Sequence, residues 1–231
     1  MNQKLMFKYF TSFLFLFFVA QSFGQTQKDS TNYKTGYGIR LGVDISKPIM
    51  GLLDENYKGL EFVGDYRLRK NLYLAAEIGT ETNTTSDDYF KTTAKGSYLK
   101  IGLNLNAYEN WLDMNNEILV GFRYGLSNFD QTLDSYTINT GSDYFPGNPI
   151  AIGTISKDLK AHWIELVLGI KAETFKNLYL GFSFSYNILL SIDDPQGFKS
   201  LYVPGFNTVF QTNTGFGFNY TISYTIPFFK K

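Results

Sequence analysis

The sequence contains no cysteine, six prolines and one histidine among its 231 residues. The absence of cysteine excludes a disulfide framework, a thiolate metal site and a cysteine-linked lipid anchor. Charged residues make up only 18% of the chain, below the usual quarter. No apolar run reaches the ~20 residues of a membrane-spanning helix, which excludes a polytopic helical membrane protein. The aromatic share, also 18%, is too high for a disordered chain.

The amino-terminal residues have the features of a secretory signal peptide in the usual order. Lys4 and Lys8 precede an apolar run over Phe10–Ala20, and small residues follow up to Gly24. A membrane anchor is the alternative interpretation, but the run is too short to cross a bilayer as a helix. We therefore predict that the leader is cleaved after Gly24.

The predicted leader sets the domain organisation. Residues 1–24 are the signal peptide, residues 25–35 are a polar periplasmic lead-in, and residues 36–231 form one domain. Loss of the two leader lysines leaves slightly more acidic than basic residues. This balance argues against nucleic acid as a partner.

The domain alternates between large apolar residues and small or polar ones. In Gly215–Phe228, apolar and aromatic residues occupy one parity, whereas Gly, Asn, Thr, Ser and Pro occupy the other. Only a β-strand sends successive side chains to opposite faces, so this segment is predicted to be a strand. The same alternation recurs in seven further segments, at 37–45, 60–68, 72–79, 99–105, 117–126, 164–171 and 180–188.

The residue types at the polar positions of the alternating segments distinguish two all-β architectures. A soluble sandwich or a lipocalin-like barrel turns its polar side chains to water. Here the polar parity is mainly Gly, Ser, Thr and Asn with isolated charges, which suits a narrow interior. We predict an all-β fold, an eight-stranded antiparallel up-and-down transmembrane β-barrel. Its expected location is the cell outer membrane, where outer-membrane lipid and, during biogenesis, the barrel assembly machinery are its partners.

The predicted connections alternate between short and long, as in outer-membrane barrels. Tight turns at 69–71 and 175–177 are expected to face the periplasm. The longest connections, at 128–159 and 193–206, are expected to face the outside. These loops are the candidate binding surface, and the sequence does not define their extracellular ligand.

The inward parity carries charges of both signs. An eight-stranded barrel is just wide enough for side chains to fill it, and isolated charges in so confined a space are costly. We therefore expect these charges to pair and to close the lumen; a narrow ion path gated by the same pairs is the alternative. The predicted lumen charge network is Arg40, Asp44, Glu61, Asp65, Arg67, Glu77, Lys100, Glu117, Arg123, Glu165, Lys171 and Glu173.

Aromatic residues cluster near the predicted strand ends. Aromatic rings of membrane proteins are enriched where headgroups meet water, so these residues are predicted to form an interfacial girdle. The predicted girdle is Tyr98, Tyr108, Trp111, Trp163, Tyr202 and Phe228.

The single histidine, His162, is the entry point for an enzymatic hypothesis. Its parity matches Ile164, so it is expected to face lipid near the outer rim. An outer-membrane lipid A deacylase would carry a serine two residues after this histidine, where the chain has Ile164. One histidine without cysteine does not make a zinc site. We predict a non-enzyme with no cofactor and no metal; a lipid-modifying barrel enzyme is the weaker alternative.

Several segments together resemble an uncharacterised family of outer-membrane β-barrel proteins from Bacteroidota, a domain of unknown function. The resemblance covers nearly all of the predicted mature chain and implies the fold and the compartment. It implies no activity and no catalytic residue. The segments that carry it are Asp65–Gly79, Asn115–Gly125, Ala161–Lys171, Asn177–Tyr186, Leu201–Asn207 and Gly217–Phe229.

Overall fold

The computed structural model describes residues 36–86, 89–110, 115–138, 149–195 and 197–230. The predicted signal peptide and lead-in lie outside the described residues, and both stay predictions. The elements in chain order are β1 (Gly36–Asp44), α1 (Ser46–Leu53), β2 (Tyr57–Arg69), β3 (Leu72–Ser86), β4 (Phe90–Asn106), β5 (Glu117–Thr137), β6 (Pro149–Phe175), β7 (Leu178–Ile192), β8 (Tyr202–Val203), β9 (Asn207–Thr208) and β10 (Thr214–Lys230).

Eight of the strands close into one barrel. The order around the ring is β1-β10-β7-β6-β5-β4-β3-β2, and every neighbouring pair is antiparallel. The remaining strands, β8 and β9, pair only with each other. The predicted eight-stranded antiparallel up-and-down barrel is therefore confirmed. Among the described residues, no helix has the length and apolar character needed to cross a membrane.

The period of two separates an apolar exterior from a polar interior. On β10, Ile222 faces out with 37% of its surface exposed, whereas its neighbour Thr221 faces in with 8% exposed. On β5, Ile118 and Phe122 face out and are exposed, whereas Arg123, which directly follows Phe122, faces in and is buried. The apolar parity thus covers the outside of the barrel, opposite to a water-soluble fold.

The two ends of the barrel differ. At the end that we call the turn end, the tight connections β2–β3 and β6–β7 lie together with the start of β1 and the end of β10. The opposite end, the loop end, carries α1, the β8–β9 hairpin and the upper parts of β5 and β6. The two tight turns predicted at 69–71 and 175–177 thus lie at the same end of the barrel.

The predicted long loop at 128–159 is wrong for most of its length. β5 continues to Thr137 and β6 begins at Pro149, and the two strands pair as far as Thr137 and Pro149. Strand pairing satisfies the backbone there without the strict apolar alternation on which the prediction relied. The polar segment 83–94 is likewise mostly β3 and β4, which pair as far as Ser86 and Lys91.

Helix α1 was not predicted. It begins directly after β1, where the Asp44 carboxylate accepts hydrogen bonds from the Ser46 amide at 2.9 Å and the Ser46 hydroxyl at 2.7 Å. The Tyr220 amide donates to the same carboxylate at 2.9 Å. Asp44 therefore ties the end of β1 to β10 and turns the chain inward, so that Lys47 is buried.

Candidate functional site in the barrel interior

Charged side chains fill the interior in three layers. The turn-end layer is centred on Arg40, which donates to both oxygens of Asp65 at 3.0 Å and to Glu117 at 2.8 Å. Lys171 donates to Asp65 at 2.5 Å. The ring centroid of Tyr179 lies 4.6 Å from the Arg40 guanidinium carbon, close enough for a cation–π contact. The guanidinium is thus held by two carboxylates and a ring.

The middle layer surrounds Lys100. Its Nζ is 3.2 Å from Glu77 and 3.5 Å from Glu61, and Glu165 lies 3.7 Å away. Arg123 donates through Nε to Glu77 at 3.2 Å. Three carboxylates thus share two cations, an arrangement that keeps buried charges near one another instead of leaving them isolated.

The loop-end layer is centred on Glu81, which is 2% exposed. Its carboxylate pairs with Lys47 Nζ at 2.6 Å and accepts hydrogen bonds from the hydroxyls of Tyr57 at 3.1 Å and Tyr202 at 2.7 Å. The Gly205 amide donates to it at 2.9 Å. Burial, together with the Glu81 carboxylate, raises the pKa of Tyr202 well above its usual value, which keeps the hydroxyl a protonated donor.

Residues 197–213, which we call the mouth segment, close the loop end above this layer. Phe206 is fully buried and packs edge-on against Trp163, with ring centroids 5.7 Å apart. The Asn187 side-chain amide donates to the Phe206 carbonyl at 3.0 Å. The segment is thus anchored from two directions, by Glu81 and by the wall of β7.

Gly205 shows how closely the mouth segment fits. Its φ is +83°, and an added Cβ would lie 2.4 Å from a ring carbon of Tyr98. Both the left-handed backbone and the contact require glycine. A well-packed contact with the wall leaves little room for water between this turn and Tyr98.

The structure places the predicted lumen charges on the inward side, but two of them make no ion pair within the described part of the chain. Asp44 holds the start of α1, as described above. Glu173 lies at the turn end, where it accepts hydrogen bonds from the Asn177 amide at 2.7 Å and the Asn115 side chain at 2.8 Å. Both carboxylates serve turns because strand ends leave backbone amides without ladder partners.

The Lys47–Glu81 pair is not part of the predicted lumen charge network. Glu81 continues the parity of Glu77 and Gly79, so extending the alternation by one step would have included it. Lys47 lies in α1, outside any alternating segment, and its inward direction depends on the turn at Asp44. The sequence carries no local signal for that contact.

The predicted girdle is wrong for Tyr98, Trp163 and Tyr202, which all lie inside the barrel. The Tyr98 hydroxyl donates to Glu61 at 2.6 Å, and the Trp163 indole nitrogen donates to Glu165 at 2.6 Å. Both residues are one position from an outward-facing neighbour, so their parity points inward. Their rings fill space between the ion pairs, and their polar atoms satisfy carboxylates.

The remaining girdle residues do not share one environment. Phe228 faces outward and is 60% exposed near the end of β10. Tyr108 is half-buried in the connection after β4. Trp111 lies outside the described residues. A girdle role stays a prediction for Tyr108, Trp111 and Phe228.

A cavity of about 480 Å³ opens at the turn end beneath the Arg40 layer. Arg67 lines it, lies 3.7 Å from Glu117 and donates through Nε to the Tyr73 hydroxyl at 2.7 Å. Asn115 and Thr225 add uncharged polar groups to the lining. The cavity is polar and large enough for ordered water.

His162 lies on the outward face near the loop end. Its Nδ1 is 3.1 Å from the Tyr124 hydroxyl, and Ile164 follows on the same face. Ser191 on β7 is the register partner of His162, but among the described residues no serine or carboxylate makes a hydrogen bond with the imidazole. In that part of the chain, no group of three or more His, Cys, Asp or Glu side chains is arranged to hold a metal ion.

These features define a class: an eight-stranded inverted β-barrel with an apolar exterior and an ion-paired, side-chain-filled interior. The chain belongs to the family described as a domain of unknown function (DUF6048), whose model matches residues 6–231. This membership confirms the predicted family type, and the bacterial group stays a prediction.

Other comparisons add little. No curated protein sequence matches the chain. One similar solved structure is Ail, the attachment invasion locus protein of Yersinia pestis, with 8% sequence identity and a TM-score of 0.41. The match covers 84% of this chain and 99% of that one.

Proposed function

We propose that the protein is a small outer-membrane β-barrel with a closed interior, which serves as a structural or binding module through its loop end. The proposed location is supported by the outward apolar band. Leu60–Leu68 of β2 and Ile118–Leu126 of β5 each cover roughly 26 Å along the strand at ~3.3 Å per residue. At a tilt of ~40° this corresponds to a band roughly 20 Å tall, close to the ~25 Å of known membrane barrels.

The observation that carries the closed-barrel proposal is the pairing of Glu81 with both the wall and the mouth segment. Lys47 and Tyr57 hold the carboxylate from α1 and β2, whereas Tyr202 and Gly205 hold it from the mouth segment. Below this point the ion-paired middle and turn-end layers occupy the bore. A filled interior favours a module that works through its outer surface over one that works through transport.

Conductance in planar bilayers tests this proposal against a narrow ion channel. The refolded full chain is expected to insert and to give no discrete current steps over a wide voltage range. A variant with Glu81→Ala and Tyr202→Phe serves as a comparison, because it loosens the mouth segment. Regular single-channel steps from the wild-type protein would contradict the closed-barrel proposal and support the channel.

Fractionation tests the location separately. We expect the protein in the outer-membrane fraction, with a leader-free amino terminus and a changed gel mobility when samples are not heated. Recovery from the cytoplasm or the soluble periplasm would contradict the location.

A non-enzymatic role is the third part of the proposal. It is supported by the surroundings of His162, whose ring contacts the Tyr124 hydroxyl on the lipid-facing side. His162→Ala is expected to leave the lipid A acylation of the host unchanged by mass spectrometry. A lipid A mass change on this substitution would support a lipid-modifying enzyme.

A further inference from the structure

A groove of about 600 Å³ crosses the outer surface of β2 to β5 at the loop end. On each of these strands the outward residues change there from apolar to polar. Phe62, Ile78, Leu99 and Leu126 are in register with one another and exposed. The groove lies directly beyond this apolar row, and its outward lining is Lys58, Leu60, Thr80, Thr82, Lys95, Ser97, Asn128, Asp130 and Asp158.

Two lysines of the groove flank one threonine. Lys58 and Lys95 are both in register with Thr82, on either side of it. Two inter-strand spacings separate their backbones, which is roughly 10 Å. Lysine side chains are long enough to converge on one anionic group from these positions.

These lysines differ from the interior cations. Lys47, Lys100 and Lys171 each pair with a carboxylate. Lys58 and Lys95 are exposed, and within the described residues neither makes an ion pair. Asp130 is the register neighbour of Lys95, yet its carboxylate accepts the Asp158 amide at 3.0 Å. The two outward ammonium groups are therefore available to a ligand.

The rest of the lining is suited to sugar hydroxyls. Thr80 and Ser97 present hydroxyls in the register row next to that of the lysines, and Asn128 presents an amide in the same row. Asp130 and Asp158 add carboxylate acceptors at the side farther from Lys58. A headgroup with phosphate alone would gain nothing from these acceptors, whereas a phosphorylated sugar would use both kinds of group.

We propose that this groove binds the phosphorylated sugar headgroup of an outer-leaflet glycolipid, with Lys58 and Lys95 on the phosphate. The proposal rests on the proposed membrane location, in which the apolar row contacts acyl chains. The headgroup of a lipid that packs against Phe62 and Leu99 lies at the height of the groove. Each lysine near such a surface contributes about fivefold in affinity.

The test uses purified lipid A and the refolded full-length barrel in maltoside micelles. Native mass spectrometry counts the lipid molecules that the barrel retains, and a titration measures the affinity. The wild-type barrel is expected to retain lipid A, and the K58Q/K95Q variant is expected to bind it roughly 25-fold more weakly. The matched control is R69Q/K70Q, which removes two exposed charges at the turn end and should stay within twofold of wild type.

Two further ligands separate the contribution of the phosphate from that of the sugar. Dephosphorylated lipid A should bind weakly to wild type and equally weakly to K58Q/K95Q. Phosphatidylglycerol, an anionic lipid without the amino-sugar headgroup, should bind more weakly than lipid A; equal binding would overturn recognition of the sugar.

Equal loss of lipid A in K58Q/K95Q and R69Q/K70Q, or no lipid A binding by wild type, would overturn the groove assignment. If the same wild-type sample inserts into vesicles and shows heat-modifiable mobility, only this inference fails. A chain that does not insert contradicts the proposed function as well.

Discussion

The Lys47–Glu81 pair provides the sharpest test of how the loop end is held closed. The two charged atoms are 2.6 Å apart, and their side chains are 6% and 0% exposed. Breaking a buried pair by removing one partner costs about 3–5 kcal/mol, because the other charge stays buried without compensation. We therefore expect Glu81→Gln and Lys47→Met each to lower the free energy of unfolding by about 3 kcal/mol.

The double variant distinguishes a charge effect from general damage to packing. With both partners neutral, no charge of the pair remains uncompensated. The glutamine keeps an oxygen that accepts hydrogen bonds from Tyr202 and Gly205. We expect Glu81→Gln with Lys47→Met to be about as stable as either single variant, which is a coupling energy of about 3 kcal/mol between the two sites.

The assay is a double-mutant cycle, measured by denaturant unfolding of the barrel in lipid vesicles. Trp163 fluorescence reports on the loop end, because its ring packs against Phe206 of the mouth segment. Proteolysis within residues 197–213 should increase to a similar extent in each single variant and in the double variant. If the two substitutions are additive within about 0.5 kcal/mol, the pair does not hold the mouth segment and the reasoning is refuted.

Three further predictions concern the wall and the mouth. Ile222→Arg should cost roughly 2–4 kcal/mol in vesicles and much more than Ile222→Ala, because it places a charge on the lipid-facing side; equal unfolding midpoints would contradict the inverted barrel. Gly125→Ala should cost about 1–3 kcal/mol, since its Cβ would lie 2.2 Å from the Trp163 ring, whereas Gly64→Ala, whose nearest neighbour is a side chain at 3.3 Å, should change stability little. Tyr202→Phe should increase hydrogen exchange in the mouth segment at an almost unchanged barrel melting temperature, and a globally unfolded barrel would refute a local role.

The strand pattern was predictable because one physical rule covers the whole wall. Each wall strand has one face on the outside and one on the interior, so parity alone assigned Ile222 outward and Arg123 inward. The same rule also identified most of the residues that form ion pairs, but not which residues pair with each other. Asp65 is the register partner of Arg40 on the neighbouring strand β2. The rule could not say that Arg40 also bonds to Glu117, because that contact joins β1 to β5 across the bore and depends on barrel closure.

Some aromatic residues were predicted incorrectly because their place near a strand end was given more weight than their parity. Trp163 and Tyr98 were assigned to an interface from their place near strand ends, although each has inward parity. Tyr and Trp have both an apolar ring and a polar atom, so they suit a membrane interface and a polar interior equally well. Parity was the stronger signal, because backbone geometry fixes it and residue type does not.

Within the described part of the chain, the two ends of the barrel are closed in different ways. At the turn end, short connections and the Arg40 layer already limit the bore, and the remaining cavity is polar and open. At the loop end, β5 and β6 extend well beyond β1, whose last residue is Asp44, so the wall is uneven and one side is low. Helix α1 packs against β2 and β10 on that low side, whereas the mouth segment packs against Trp163 and Tyr98 of the taller wall. Each of them contributes a partner to Glu81. A single buried carboxylate on β3 thus joins two chain segments that are more than 150 residues apart, which makes closure of the loop end depend on correct assembly of the whole ring.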